Sequence, residues 1–310
     1  MIRHNVLQDS HAAEQYFEAI WVLKDLDKSP WPGQEGQFSL YDFFVFWHHR
    51  AMMLSTPPEQ MRRNAAHSGP VFLPWHRYML LRLERMLGEA INDADFRLPY
   101  WDWSEDADNM SESLIWSGDY LGQFMDERWA IRLDQNAFGS TPFPRPLSRP
   151  MRRFLGQWPN VEIGNKATLR ALIHSESQYD VPPYNESVFS FRNLLEGWVG
   201  DNRLHNNIHL SVGGRDGEQD APMYGDMVLS TSPNDPTFFL HHCFIDKVWA
   251  AWQTQQSDMT YKPTNAESDD YLFHRLDDPM HTFFNERVSP RDVLDVSEYY
   301  RYDTLEDLVV

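Results

Sequence analysis

A mainly α-helical fold with long wrapping loops and little β structure is predicted by three observations on the sequence. Apolar side chains recur at helical spacing in several stretches. Capping residues or prolines stand where those stretches begin. Acidic or proline-rich segments separate them. The chain has 310 residues and 42% hydrophobic content, with 12 Trp, 13 Tyr and 19 Phe, which is ample for a packed core and excludes disorder as a whole-chain state.

The elements follow in order. Glu14 to Leu26 (EQYFEAIWVLKDL) and Leu40 to Met53 (LYDFFVFWHHRAMM) read as helices, the second capped by Ser39. From Pro74, PWHRYMLLRLERMLGEAI reads as a helix with proline in its first turn and Leu80, Leu83 and Leu87 on one face. A further helix is expected over Arg203 to Leu210. The last begins after Asn234-Asp235-Pro236, which supplies a cap and a first-turn proline, and runs through TFFLHHCFIDKVWAAWQ. Ser104 to Ser113 is acidic and polar, and Thr141 to Pro159 holds Pro142, Pro144, Pro146, Pro150 and Pro159, so both are expected as loops that wrap the bundle and form its rim.

Charge and cysteine usage narrow the chemistry. With 27 Lys+Arg against 46 Asp+Glu the net charge is −19, which speaks against nucleic acid or an anionic membrane as a partner. Mean hydropathy is −0.58, and no run of about 18 apolar residues predicts a membrane span. The start, MIRHNVLQDSHAAEQYF, is polar where a signal peptide is apolar, so the chain is expected to be cytoplasmic, or exported with a helper protein. The lone Cys243 makes no internal disulfide and excludes thiolate-rich zinc or iron-sulfur sites. A metal, if bound, must be held by histidine.

Eight of the 13 histidines fall in two windows: His48, His49, His67 and His76, then His205, His209, His241 and His242. His4, His11, His174, His274 and His281 are scattered. The two windows are chemically alike and distant in sequence, which predicts one domain over 1–310 that brings them together. In LHNNIH, His205 and His209 are four apart, so on a helix both imidazoles share a face. A zinc peptidase needs Glu after the first of them, and Asn206 stands there. No acidic residue is interleaved at ligand spacing, which disfavours calcium, magnesium and carboxylate-bridged di-iron and leaves copper or zinc. The adjacent pairs His48/His49 and His241/His242 lie about 100° apart on a helix, so one of each pair should face a given metal. Periodicity does not choose which.

HSGPVFLPWHRYMLLRLE (His67 to Glu84) and DPTFFLHHCFID (Asp235 to Asp246) resemble the two copper signatures of tyrosinases and catechol oxidases. YDFFVFWH, LPYWDWS (Leu98 to Ser104), SPNDP (Ser232 to Pro236) and YYRYD (Tyr299 to Asp303) extend the resemblance to the end of the chain. It implies a four-helix bundle enclosing a binuclear, type 3 copper site with dioxygen as co-substrate. His48, His67 and His76 would bind one copper, and His205, His209 and His242 the other. His49 and His241 would then lie outside the ligand set. The implied reactions are ortho-hydroxylation of monophenols and oxidation of o-diphenols to o-quinones.

The resemblance also implies further roles. Glu196 and Asn206 match the Glu and Asn that hold a proton-accepting water in relatives with strong monophenolase activity. Trp198 matches an aromatic flanking the substrate ring, Leu229 is a gate over the first copper, and Phe238 completes the substrate-positioning set. Leu210 stands where some bacterial relatives carry Arg, which removes a guanidinium clamp and implies a preference for uncharged phenols. Ala65 replaces the Cys that forms a thioether to the second ligand of the first copper in fungal, molluscan and plant relatives, so that bond is expected to be absent. No C-terminal lid domain is expected. A small phenolic or catecholic substrate and a copper-delivery helper protein are the implied partners. Weighed beside this are a catechol or o-aminophenol oxidase with weak monophenolase activity, a haemocyanin-like oxygen carrier, and a di-zinc hydrolase.

Overall fold

The computed structural model describes residues 1–25, 27, 39–57, 63–133, 147–217, 221–256, 261–282 and 286–310. Asp9 starts the first helix by accepting from the Ala12 amide, and α1 (Ser10–Lys24) buries Ala13, Tyr16, Phe17, Ile20 and Leu23 at helical spacing. It begins four residues before the apolar pattern because the cap, not the first apolar residue, sets the start. Leu26 lies outside the described residues. α2 (Leu40–Met53) has the predicted bounds. Ser39 and Asp42 form a reciprocal capping box, and Asp42 also takes an ion pair of 2.6 Å from Lys24, which ties the end of α1 to the start of α2. Tyr41 to His49 are all buried, as in a helix with no solvent face.

α3 (Phe72–Ile91) starts two residues before Pro74, which sits in its first turn, and ends at Asn92 in the left-handed conformation. Two short helices escaped the sequence reading: α4 (Lys166–Ser175), capped by Asn165, and α5 (Phe191–Glu196), capped by Ser190. α6 (Leu204–Gly213) begins one residue after the expected Arg203, which caps it, and runs three residues past the expected end at Leu210. α7 (Thr237–Gln255) begins after Pro236, with Asp235 accepting from the Thr237 amide at 2.9 Å. A last turn, α8 (Glu306–Val309), closes the chain.

Strands among the described residues form three two-stranded sheets. β1 (Ile2–Arg3) pairs in parallel with β6 (Arg301–Tyr302), joining the two ends of the chain. β2 (Ala130–Leu133) pairs antiparallel with β3 (Leu147–Pro150), and β4 (Arg215–Asp216) with β5 (Met223–Tyr224). β3 corrects the expectation of an unbroken loop over Thr141 to Pro159: Leu147 to Pro150 bond to β2, with Pro150 at the strand end where its missing N–H is tolerated. Pro142, Pro144 and Pro146 lie outside the described residues. α3 packs against both α1 and α7. Trp47 meets Trp75 edge-on at 5.4 Å between α2 and α3. No described helix is long and apolar enough to cross a membrane.

Candidate metal centre

Three elements bring the first histidine group together: His48 from α2, His67 from the loop before α3, and His76 from α3, one turn after its start. One ring nitrogen from each lies within 4.8 Å of the others. Local chemistry positions the loop histidine. Asn64 Oδ1 accepts from the amides of Ala66 at 3.0 Å and His67 at 2.7 Å, a side-chain turn that aims His67 inward. Ser68 follows at φ +62°, a left-handed conformation that costs energy for a residue with a side chain.

The second group comprises His205 and His209 from α6 with His241 and His242 from α7. The i, i+4 pair has ring centroids 4.5 Å apart. His242 stacks on His76 at 4.2 Å and 6°, so the two groups share a wall of imidazole.

Backbone carbonyls set the tautomers. Nδ1 lies 2.7 Å from Ser230 O in His48, 2.8 Å from Phe72 O in His76, 3.2 Å from Glu196 O in His205 and 2.6 Å from Met227 O in His209. A carbonyl only accepts, so Nδ1 carries the hydrogen and Nε2 keeps its lone pair for a metal. Those four Nε2 atoms are buried without a hydrogen-bond partner among the described residues, as are Nδ1 of His67 and both nitrogens of His241 and His242. Burial pushes the His48 imidazole down to about 3 and that of His209 to about 4, and drives His67, His76, His205, His241 and His242 well below the ordinary range. Neutral imidazoles with unused lone pairs and no carboxylate in either group fit copper or zinc.

The adjacent pairs behave differently. His49 stays out of the first group, and its Nδ1 lies 2.8 Å from Ser230 Oγ. His241 lies within the second group, stacked on His205 at 5.1 Å, although the resemblance places it outside the ligand set. His242 is the member that also meets the first group.

A cleft of about 470 Å³ opens over both groups. Trp198, Leu210 and Leu229, all expected to position substrate, line it, as does Asn206. Phe238 does not. Its ring is buried 4.1 Å from that of His242 and 5.0 Å from that of His48, where it packs against both imidazoles.

Glu196 is fully buried behind the cleft wall. Its Oε1 accepts the Ser68 amide at 2.7 Å and its Oε2 the Arg192 guanidinium at 3.0 Å. Burial pushes its carboxyl up, against the opposing pull of Arg192, the Ser68 amide and Trp198. Among the described residues no hydrogen bond joins this carboxylate to Asn206, whose Nδ2 donates to Gly197 O at 3.1 Å. The carboxylate has a basic neighbour one helical turn away. Arg192, held in turn by Asp180 at 2.7 Å, is that neighbour, and its i, i+4 spacing was the available signal. A larger groove of about 920 Å³ along the outer face of α3 carries no ligating cluster among the described residues, so chemistry and not size selects the site.

The family profile described as the common central domain of tyrosinase matches residues 39–255. The chain is 34% identical over 281 residues to a tyrosinase of Streptomyces lincolnensis, covering 85% of this chain and 89% of that one. It is 30% identical over 300 residues to the grixazone synthase of Streptomyces griseus, covering 85% and 90%. Among solved structures, a polyphenol oxidase of Thermothelomyces thermophila superposes with a TM-score of 0.69 at 21% identity, covering 98% and 89%. A functional unit of octopus haemocyanin gives 0.61 at 17%, covering 100% and 70%. Identities this low speak to the fold alone.

Proposed function

The chain belongs to the tyrosinase family of copper-dependent phenol oxidases, and from that premise we propose that it both ortho-hydroxylates monophenols and oxidises o-diphenols to o-quinones. It would do so on two copper ions within one catalytic domain. His48, His67 and His76 would hold one ion, and His205, His209 and His242 the other. The observation that carries this reading is the pair of facing groups of neutral imidazoles whose unshared nitrogens converge below a single cleft. Copper, when bound, supplies the redox chemistry that couples phenol oxidation to reduction of dioxygen.

The protein's own residues do the rest. Carbonyls of Ser230, Phe72, Glu196 and Met227 orient four ligands, and the Phe238 ring keeps water from beneath them. Stacking between His76 and His242 favours His242 over His241 as the ligand, since it ties the two groups together. Trp198 flanks the phenol ring at the mouth, with Leu210 and Leu229 as apolar walls. Asn206 on the cleft wall and Glu196 behind it would hold the water that accepts the phenol proton.

A second reading, a catechol or o-aminophenol oxidase with weak hydroxylation, draws on one observation. Both Glu196 oxygens already accept hydrogen bonds from protein, which competes with water for them. Loading with copper tests all readings together. The proposal expects two copper ions per chain, an oxygen-dependent near-ultraviolet band, and quinone formed from both a monophenol and a catechol. Turnover of catechol alone would favour the second reading. A band without turnover would favour an oxygen carrier.

A further inference from the structure

The mouth of the cleft carries two charges that the copper chemistry does not use. Among the described residues lining it, Arg203 and Glu186 alone bear a formal charge. Arg203 is exposed, immediately precedes α6, and its side chain has no hydrogen bond or ion pair with any described residue. Its backbone is nevertheless pinned. Its carbonyl accepts the Asn207 amide at 2.6 Å, and Gly197, at φ +98°, approaches so closely that a Cβ there would sit 2.9 Å from the Arg203 carbonyl carbon. The guanidinium therefore springs from a fixed point two residues before His205 and across the turn from Trp198. Glu186 is half-buried and accepts from Ser68 Oγ at 2.7 Å, with Ser68 directly after His67. Each charge is tethered next to one histidine group.

We propose that Arg203 and Glu186 read the charge on the para substituent of the phenol, with Arg203 binding a carboxylate and Glu186 an ammonium group. The proposal rests on the phenol-oxidase reading. It also revises the preference for uncharged phenols expected from Leu210. Leu210 removes a cation from within α6, but Arg203 returns one from the segment just before it. A local cation is needed for an anionic tail, because the chain as a whole carries −19. Surface charges beyond about 8 Å are largely screened at physiological salt, so the nearby guanidinium decides the interaction. Arg203 is a positioning residue in this scheme. It holds the substituent so that the ring enters between Trp198 and Leu229 with its hydroxyl toward the histidines.

The test compares 4-methylphenol, 3-(4-hydroxyphenyl)propionate and tyramine on the copper-loaded protein. Arg203→Gln should raise the KM for the propionate about three- to tenfold relative to that for 4-methylphenol, with the effect on kcat much smaller. Glu186→Gln should raise the KM for tyramine relative to 4-methylphenol by a similar factor and lower that for the propionate. A parallel calorimetric titration under nitrogen reads the Kd of the propionate and its weakening by salt. If Arg203→Gln shifts all three phenols by one factor, or leaves the propionate Kd and its salt dependence where they were, the proposal is overturned. If no phenol is turned over but the propionate Kd still depends on Arg203, the charge reading stands and the catalytic reading falls.

Discussion

Two buried polar clusters stand one helical turn apart on α7 and treat polar atoms in opposite ways. Asp246, 3% exposed, has both oxygens engaged. Arg77 donates to one, and Arg3, Tyr300 and Tyr302 to the other. Arg77 also reaches the carbonyls of Val293 and Leu294 and lies 3.6 Å over the Trp249 ring, while Arg3 bonds Glu84 at 2.9 Å. His242, 1% exposed, bonds through neither nitrogen to any described residue. A buried polar group left unbonded costs stability, so a structure that engages both Asp246 oxygens, leaving only Arg3 Nη2 of that cluster unbonded among the described residues, and keeps the imidazole lone pairs open reserves the second cluster for a ligand. The Asp246 cluster is scaffold: it ties β1, α3 and the C-terminal tyrosines to α7. The histidines are the working end.

That contrast breaks first, if it breaks, at Asp246. Asp246→Ala strands two buried guanidinium groups and should cost about 3–5 kcal/mol, read by denaturant unfolding of the metal-free protein. His242→Leu should do the reverse. Metal-free stability should stay within about 1 kcal/mol, because an unbonded polar group gives way to an apolar one, while bound copper falls by one ion and turnover drops about a hundredfold or more. Equal destabilisation by the two substitutions would show that the histidines are as much part of the scaffold as Asp246.

The difference between the clusters also explains what the sequence reveals. His205 and His209 announce themselves by i, i+4 spacing, and α2 by an apolar run with Ser39 at its start, since both signals are local. His67 has no such period: Asn64 and a left-handed Ser68 aim it, and only the likeness of the surrounding segment to known copper signatures marks it out. Arg3 is the far case. Its partners Glu84 and Asp246 lie 81 and 243 residues away, and no pattern along the chain joins them. Arg192 stood one turn from Glu196 and was legible in principle, yet pairing depended on Asp180 and on burial, which spacing does not report. β3 was hidden among prolines because a strand that ends on Pro150 is permitted only by its partner β2.

Glu196 lies between the two behaviours, paired with Arg192 like the scaffold yet set behind the cleft like the working end. Glu196→Gln should slow monophenol hydroxylation about a hundredfold relative to catechol oxidation if its carboxylate supports proton transfer. An unchanged ratio would assign Glu196 to the scaffold, where it holds Ser68 and hence His67 in place. Copper content separates these outcomes, since a scaffold role predicts loss of metal and of both activities together.

Acidification should sharpen the comparison, with the smallest effect per group. Burial depresses His48 to about 3 and His209 to about 4, whereas an imidazole in the unfolded chain titrates near 6.5. Below that value the unfolded chain binds protons that the folded chain refuses, so metal-free stability falls as pH drops, by up to about 1.4 kcal/mol per unit for each such histidine. Asp246 works in another window. Burial pushes its carboxyl up, but Arg77, Arg3 and the two tyrosines hold it below the ordinary range. Its contribution is therefore intact above about pH 4, where unfolded carboxylates titrate, and is lost only on further acidification through its folded value. Between about pH 6.5 and 4 the histidine end should thus account for the destabilisation that the Asp246 cluster does not share. Unfolding of metal-free protein across that range should show a steep slope, and His242→Leu should reduce it by about one proton. Copper should raise the stability without changing the slope between about pH 6.5 and 4, because the folded imidazoles it occupies carry no proton there in either state. A metal-free protein equally stable at pH 7 and pH 5 would mean that the imidazoles are already hydrated and accessible, and the two clusters would no longer differ in kind.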